Sequence, residues 1–299
     1  MTKTHPLFNL VIIACIAFGS VIVAQFIGLA IAVLAYSVDL NELQTILSNP
    51  SKEATNMKQI FWIVQGASLL LGMGGGAFLY QKWVSGQNFS DLSQNKNLTS
   101  WAIGLSFLIF LFSVPATSEM MRWNKDLHFG SFDSQIREME NQAKIITEII
   151  TQMDNFGEML VVLFVIAFIP AFAEEYLFRG LVQNEFLRWF RNSHIAVWVT
   201  AAIFSAVHFQ FLGFFPRMFL GVLLGYLYVW SGNIIYPMIG HFCNNGLQVL
   251  ALYLYQRNLI GKEITEEDYP VPLPVLIVSV VVLAGLLFYA RKRFQASER

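Results

Sequence analysis

Apolar stretches long enough to cross a hydrocarbon core of about 30 Å recur from one end of this chain to the other. Eight stand out, over about 8–36, 60–80, 100–118, 157–178, 195–212, 215–231, 233–254 and 272–290. The expected fold class is therefore an all-α polytopic membrane protein of about eight transmembrane helices, with the lipid bilayer as its surroundings. Composition agrees: 56% of residues are hydrophobic and only 13% charged, with 27 phenylalanines. A net charge of −1 offers no basic face, which excludes a nucleic-acid partner.

An even number of spans puts both termini on one side. Arg291, Lys292, Arg293 and Arg299 of the tail, Arg188 and Arg191 of the turn around 180–194, and Lys3 share that side, so it is expected to be cytoplasmic. The opposite loops are longer and of mixed sign, pairing Lys52 with Glu53 and Lys262 with Glu263, Glu266, Glu267 and Asp268. The run from Leu7 to Tyr36 is too long for a signal-peptide core and lacks a small-residue cleavage site, so it is expected to be a retained anchor.

Three parts follow: 1–156, scaffold helices and a connector; 157–254, a helical core carrying the chemistry; and 255–299, a loop, the last helix and a basic tail. Gly72-Met73-Gly74-Gly75-Gly76 predicts close helix approach; no lysine-serine follows, which argues against a phosphate cradle. Ile136, Met139, Ile145, Ile146, Ile149 and Ile150, set among charges, predict an amphipathic helix at the interface within 119–156. Cys15 and Cys243 lie in apolar runs and make no disulfide framework; Cys243 reads as an inert thiol.

The exception to the apolar pattern is Pro170-Ala171-Phe172-Ala173-Glu174-Glu175-Tyr176-Leu177-Phe178-Arg179-Gly180, directly after an apolar run. An ionisable side chain at membrane depth costs about 2.5 kcal/mol or more, so three together point to function. On a helix Glu175 and Arg179 are four apart and can neutralise each other, whereas Glu174 is turned about 100° away and is available for chemistry. Of the five histidines, His208 and His241 fall inside the expected spans and His5, His128 and His194 outside them. With a turn near Arg191-Asn192-Ser193, Glu174 and His208 come within about 3 Å of the same depth on antiparallel helices. His241 and Asn245 share one helical face, and Pro237 upstream can free backbone groups nearby. His241 follows the turn at Ser231-Gly232-Asn233 closely, so it should lie shallower than His208 unless that turn dips into the protein.

A carboxylate, two imidazoles and a carboxamide in a water-poor cavity suit hydrolysis of an acyl bond. Glu174 can take a proton from water, His208 can orient that water, and His241 with Asn245 can steady an oxyanion, each donor contributing about 3 kcal/mol. Alternatively His208, His241 and Glu174 bind zinc with a position left open for water, although the soluble pattern of two histidines four apart around a glutamate is absent. Phe204 reads as packing beneath His208, and Arg217 as an interfacial anchor rather than a binder of a substrate carboxylate.

Taken together, Glu174, Glu175 and Arg179, then Phe204 and His208, then His241 and Asn245, resemble the three motifs of the CPBP family, the type II CAAX prenyl endopeptidases and their bacteriocin-processing and immunity relatives. The resemblance covers roughly 157–254. It implies an eight-helix intramembrane endopeptidase of a bacterial inner membrane, with Glu174, Glu175, Arg179, His208, His241 and Asn245 as its catalytic set. Family members are described both as metalloproteases and as glutamate-dependent enzymes, so zinc and metal-free chemistry both stay open. The implied partner is a membrane-associated, lipidated peptide or protein. A non-catalytic binding protein, such as an immunity factor, is the alternative; a proton-coupled transporter is a weaker one, since no inverted repeat of broken helices is visible.

Overall fold

The computed structural model describes residues 4–39, 44, 46, 56–86, 88–93, 98–261 and 270–297. Lys3, Lys52, Glu53, Lys262, Glu263, Glu266, Glu267, Asp268 and Arg299, which carry part of the orientation argument, lie outside the described residues. The chain runs through α1 (Pro6–Tyr36), α2 (Met57–Ser85), α3 (Ser100–Lys125), α4 (Asp133–Ile150), α5 (Phe156–Phe190), α6 (Ser193–Ala206), α7 (Phe214–Ser231), α8 (Ile235–Gln256) and α9 (Leu273–Ser297), with no strand among the described residues.

Six helical segments are long and apolar enough to cross a membrane: α1, α2, α3, α5, Phe211–Ser231 and Leu273–Gln295. The chain is a multi-pass integral membrane protein. The other two expected spans correspond to α6, only 14 residues long, and to α8, whose apolar run is broken by His241, Asn244, Asn245 and Gln248. The shortfall from eight thus falls on α8, which carries His241 and Asn245, and on α6, which leads into the turn that holds His208.

The scaffold follows the small-residue logic expected of it. A Cβ on Gly72 would stand 2.7 Å from the Val21 backbone, and one on Gly76 3.2 Å from the Ala17 backbone, so α1 and α2 meet only because these positions are bare. The amphipathic connector is α4, largely exposed along its length and buried at Ile149 and Ile150, where Trp62 Nε1 donates to the Ile150 carbonyl at 2.7 Å.

Helix α5 is continuous for 35 residues and ends where the sequence predicts. Arg191 takes a left-handed conformation (φ 51°), and Asn192 Oδ1 accepts from the His194 and Ile195 amides to start α6. From there α7 returns alongside α5 in fixed register. Arg179 Nη2 donates to the Gly221 carbonyl (2.9 Å) and, one turn on, Gln183 Nε2 donates to the Gly225 carbonyl (3.1 Å). The same two glycines let α6 in, since a Cβ on Gly221 would lie 3.2 Å from the Ala201 backbone and one on Gly225 2.9 Å from Val197.

The turn between α7 and α8 does dip into the protein. Ser231, Asn233 and Ile234 are buried beneath Leu92 and Ser93, with Ser93 Oγ donating to Asn233 Oδ1 (3.1 Å) and the Tyr228 hydroxyl to the Leu92 carbonyl (3.1 Å). This sinks the start of α8 and carries His241 to the level of α5. Pro237 frees nothing there: it lies in the first turn of α8, where an N–H has no helical partner anyway, and the helix runs unbroken to Gln256.

The backbone just before His241 is packed without slack. A Cβ on Gly240 would come within 2.3 Å of the fully buried Phe110 ring. Gly240→Ala is expected to lower stability by about 1–3 kcal/mol through overpacking. Unfolding in a single detergent measures it, and Phe110→Leu in the same chain should recover part of the loss.

Candidate active site

One helix, α5, presents both carboxylates. Helix α5 widens to π-helical hydrogen bonding over Leu163–Phe168 and again over Tyr176–Val182, so Glu174 and Glu175 close the short α-helical stretch between two such bulges. Bulges of this kind re-aim side chains and recur at functional sites. Pro170 opens that stretch and has no N–H for the turn before it. The Ile166 carbonyl, four residues back, accepts instead from Asn245 Nδ2 at 3.0 Å.

Glu175 and Arg179 form the expected i,i+4 pair at 2.7 Å, both with no exposure at all. Glu175 Oε1 also faces His241 Nδ1 at 2.8 Å, so one carboxylate oxygen orients both the guanidinium and the imidazole. The guanidinium is further seated 4.7 Å above the Phe204 ring. Phe204 is buried and also meets Phe178, His208 and His241 edge to face, so it is the packing residue on which the cluster rests.

Glu174 differs from its neighbour. It accepts no hydrogen bond among the described residues, and the one basic atom within 4 Å is His241 Nε2, at 3.9 Å. It keeps 7% exposure where Glu175 keeps none. Of two adjacent carboxylates, one is locked in structure and the other is left with its lone pairs unspent.

His208 is not inside a span, as expected of it, but in the turn after α6. Helix α6 stops at Ala206, and Phe209 adopts a left-handed backbone (φ 53°), uncommon for an aromatic residue. His208 Nδ1 points to the Phe204 carbonyl at 2.7 Å, which sets Nδ1 as the protonated nitrogen and leaves the Nε2 lone pair for the site. The turn is pinned from outside. Fully buried Asn124 of α3 donates to the Phe211 carbonyl (2.8 Å) and accepts from the Phe215 amide (3.0 Å), while Glu140 of α4 accepts from the Leu212 amide (2.9 Å).

Asn245 is on the face of α8 that meets α5, yet its carboxamide is partly engaged: Nδ2 serves Ile166 and Oδ1 accepts from Asn244 Nδ2 at 3.0 Å. Asn124, Glu140 and Asn244 were not legible as site residues, since each acts through a partner distant in sequence or through its neighbour. The four-residue spacing of Gly221 and Gly225 was the available signal for the close α6–α7 contact. Among the described residues no group of three His, Cys, Asp or Glu side chains is placed to hold a metal ion.

Residues 156–247 match the family described as type II CAAX prenyl endopeptidase Rce1-like. The matched segment opens with α5 and closes within α8, so it holds Glu174, Glu175, Arg179, His208, His241 and Asn245 together. The chain is also similar to the uncharacterised protein YpbD of Bacillus subtilis (strain 168), 41% identical over 76 residues, which is 24% of this chain and 35% of that protein. It is 30% identical over 111 residues to the membrane-embedded CAAX protease MroQ of Staphylococcus aureus (strain USA300), covering 35% of this chain and 44% of that protein. The matches thus span less than half the length of either curated relative. No solved structure matches.

The two carboxylates of the Rce1-like segment should separate in a stability measurement. Glu175→Gln leaves the buried Arg179 charge uncompensated and is expected to cost about 3–5 kcal/mol. Glu174→Gln removes no hydrogen bond and should stay within about 1 kcal/mol of the parent. Denaturant unfolding of both variants checks this; equal losses would contradict the division of roles.

Proposed function

We propose that the chain is an intramembrane endopeptidase in which Glu174 is the general base. The observation that carries this is the carboxylate of Glu174, left without a hydrogen bond and 3.9 Å from His241 Nε2. One water can bridge atoms at that separation, donating to the carboxylate and meeting the imidazole. Glu174 takes a proton from that water as its oxygen attacks the peptide carbonyl carbon. The oxyanion is met by the second Nδ2–H of Asn245 and by Nε2–H of His241 with both ring nitrogens protonated, its Nδ1–H donating to Glu175. When the carbon–nitrogen bond breaks, Glu174 returns the proton to the leaving amine. His208, with Nε2 unprotonated, orients the water or accepts from the incoming amide. Glu175 and Arg179 hold His241 and act through it.

In this reading the carboxylate activates the water and no step is routed through a metal. The substrate in this reading is a peptide or protein whose cleaved segment is associated with the membrane and carries a lipid. The apolar rim around His208, with Val207, Phe209 and Phe215 exposed, suits such a group. The family description and the name of the MroQ relative support the same class. The membrane is a bacterial inner membrane with both ends of the chain cytoplasmic.

Purified full-length protein, assayed on quenched lipidated peptides, tests the reading. Glu174→Gln and His208→Gln are each expected to lower kcat by about 10²-fold or more with folding retained. Cleavage should persist through exhaustive chelation. Turnover that survives Glu174→Gln would leave binding, not hydrolysis, as the function, and turnover lost on chelation would replace the carboxylate-only mechanism with a metal one.

A further inference from the structure

Asn245 follows His241 by one turn on α8, and its carboxamide has two ends of opposite hydrogen-bonding sense. Turned one way it points an N–H at developing negative charge; turned over, it points an oxygen lone pair there and repels that charge. The two orientations have nearly the same shape, so packing does not choose between them. Hydrogen-bond partners do, and Asn245 has one at each end.

At the oxygen end, buried Asn244 donates from Nδ2 to Asn245 Oδ1 at 3.0 Å. Asn244 is itself a carboxamide and can turn over with its neighbour, so it follows the choice and does not make it. At the nitrogen end the partner is the Ile166 carbonyl of α5, 3.0 Å from Asn245 Nδ2. A carbonyl accepts in every orientation, so the choice is made here. The need of Ile166 for an outside donor is written into the sequence. In the α-helical register that α5 resumes at Ile169, the N–H serving Ile166 belongs to residue 170, and Pro170 has none. The second Nδ2–H of Asn245 has no partner among the described residues.

We infer that Pro170 is a positioning residue for the reaction. By leaving the Ile166 carbonyl without its helical donor, it makes that carbonyl the fixed acceptor that holds Asn245 with an N–H, not an oxygen, turned to the oxyanion. The inference rests on the peptidase reading and deepens it by naming what aims the oxyanion donor. Pro170 also lies in the first turn of the short helical stretch that ends in Glu174 and Glu175, so one residue registers the donor on α8 against the helix that carries the base.

Full-length protein in nanodiscs tests this with Pro170→Ala and with Pro170→Val, which stays close to proline in volume; both restore an N–H at 170. Each is expected to lower kcat on quenched lipidated peptides about tenfold with KM unchanged. The thermal unfolding midpoint should stay equal or rise, since a proline leaves the helix interior. Added to Asn245→Ala, neither variant should lower the residual kcat further. In the Glu174→Gln form, the side-chain amide NMR signals of Asn245 are identified by their loss in Asn245→Ala. One of its protons should exchange slowly with solvent, and faster once Pro170→Ala is added. Unchanged kcat in both Pro170 variants, or a loss that repeats in full on Asn245→Ala, overturns the positioning role while the peptidase reading stands. A loss of kcat that tracks a lower unfolding midpoint does the same and assigns Pro170 to packing. An amide proton that responds to Pro170→Ala in a protein that cleaves no peptide supports the aiming of Asn245 and overturns the peptidase reading. Absence of both cleavage and amide response overturns the two together.

Discussion

The buried pair of Glu175 and Arg179 governs the geometry of everything around it, because a charge with zero exposure tolerates very few arrangements. Its cost in desolvation is offset as the partners' remaining groups are met, and three helices supply contacts to them, although Glu175 Oε2 and Arg179 Nε have no hydrogen-bond partner among the described residues. Gly221 of α7 offers a carbonyl, His241 of α8 a ring nitrogen, and Phe204 of α6 an aromatic face. A pair made within one turn of α5 therefore fixes the depth and rotation of three other helices. That is the registry role best attested for buried ions, and here it sets the distance between an imidazole and the neighbouring carboxylate.

The second constraint is backbone supply and demand along α5. A proline and two π-helical stretches leave the ordinary ladder incomplete, and side chains from α8 repair it. Asn245 is thus tied to the scaffold by one of its two Nδ2–H groups while its oxygen accepts from Asn244. The same economy appears at the turn after α6, where Asn124 serves one backbone acceptor and one backbone donor with a single carboxamide.

Local periodicity made much of this legible. The i,i+4 relation of Glu175 to Arg179, the divergence of Glu174, the turn at Arg191 and Asn192, and the glycines between α1 and α2 all depend on spacing within one or two helices. What spacing missed depends on contacts between distant segments. The depth of His241 follows from a turn buried under Leu92 and Ser93, which residue counting from a surface turn cannot anticipate. His208 lies past the end of its helix because Phe209 reverses the backbone there, and a hydropathy window runs across such an end without registering it.

The brevity of α6 reaches beyond the protein. Fourteen residues rise about 21 Å, some 9 Å short of a typical hydrocarbon core. Next to this helix the lipid acyl chains must compress, or headgroups and water must follow the His208 turn inward. A bilayer that meets this helix across its whole thickness would thin on the flank where the carboxylate and imidazoles sit, and water would have a shorter route to them than a full-length helix would leave. Bilayer thickness then becomes a control on hydration of the site, with short-chain lipids relieving the mismatch and long-chain lipids sharpening it.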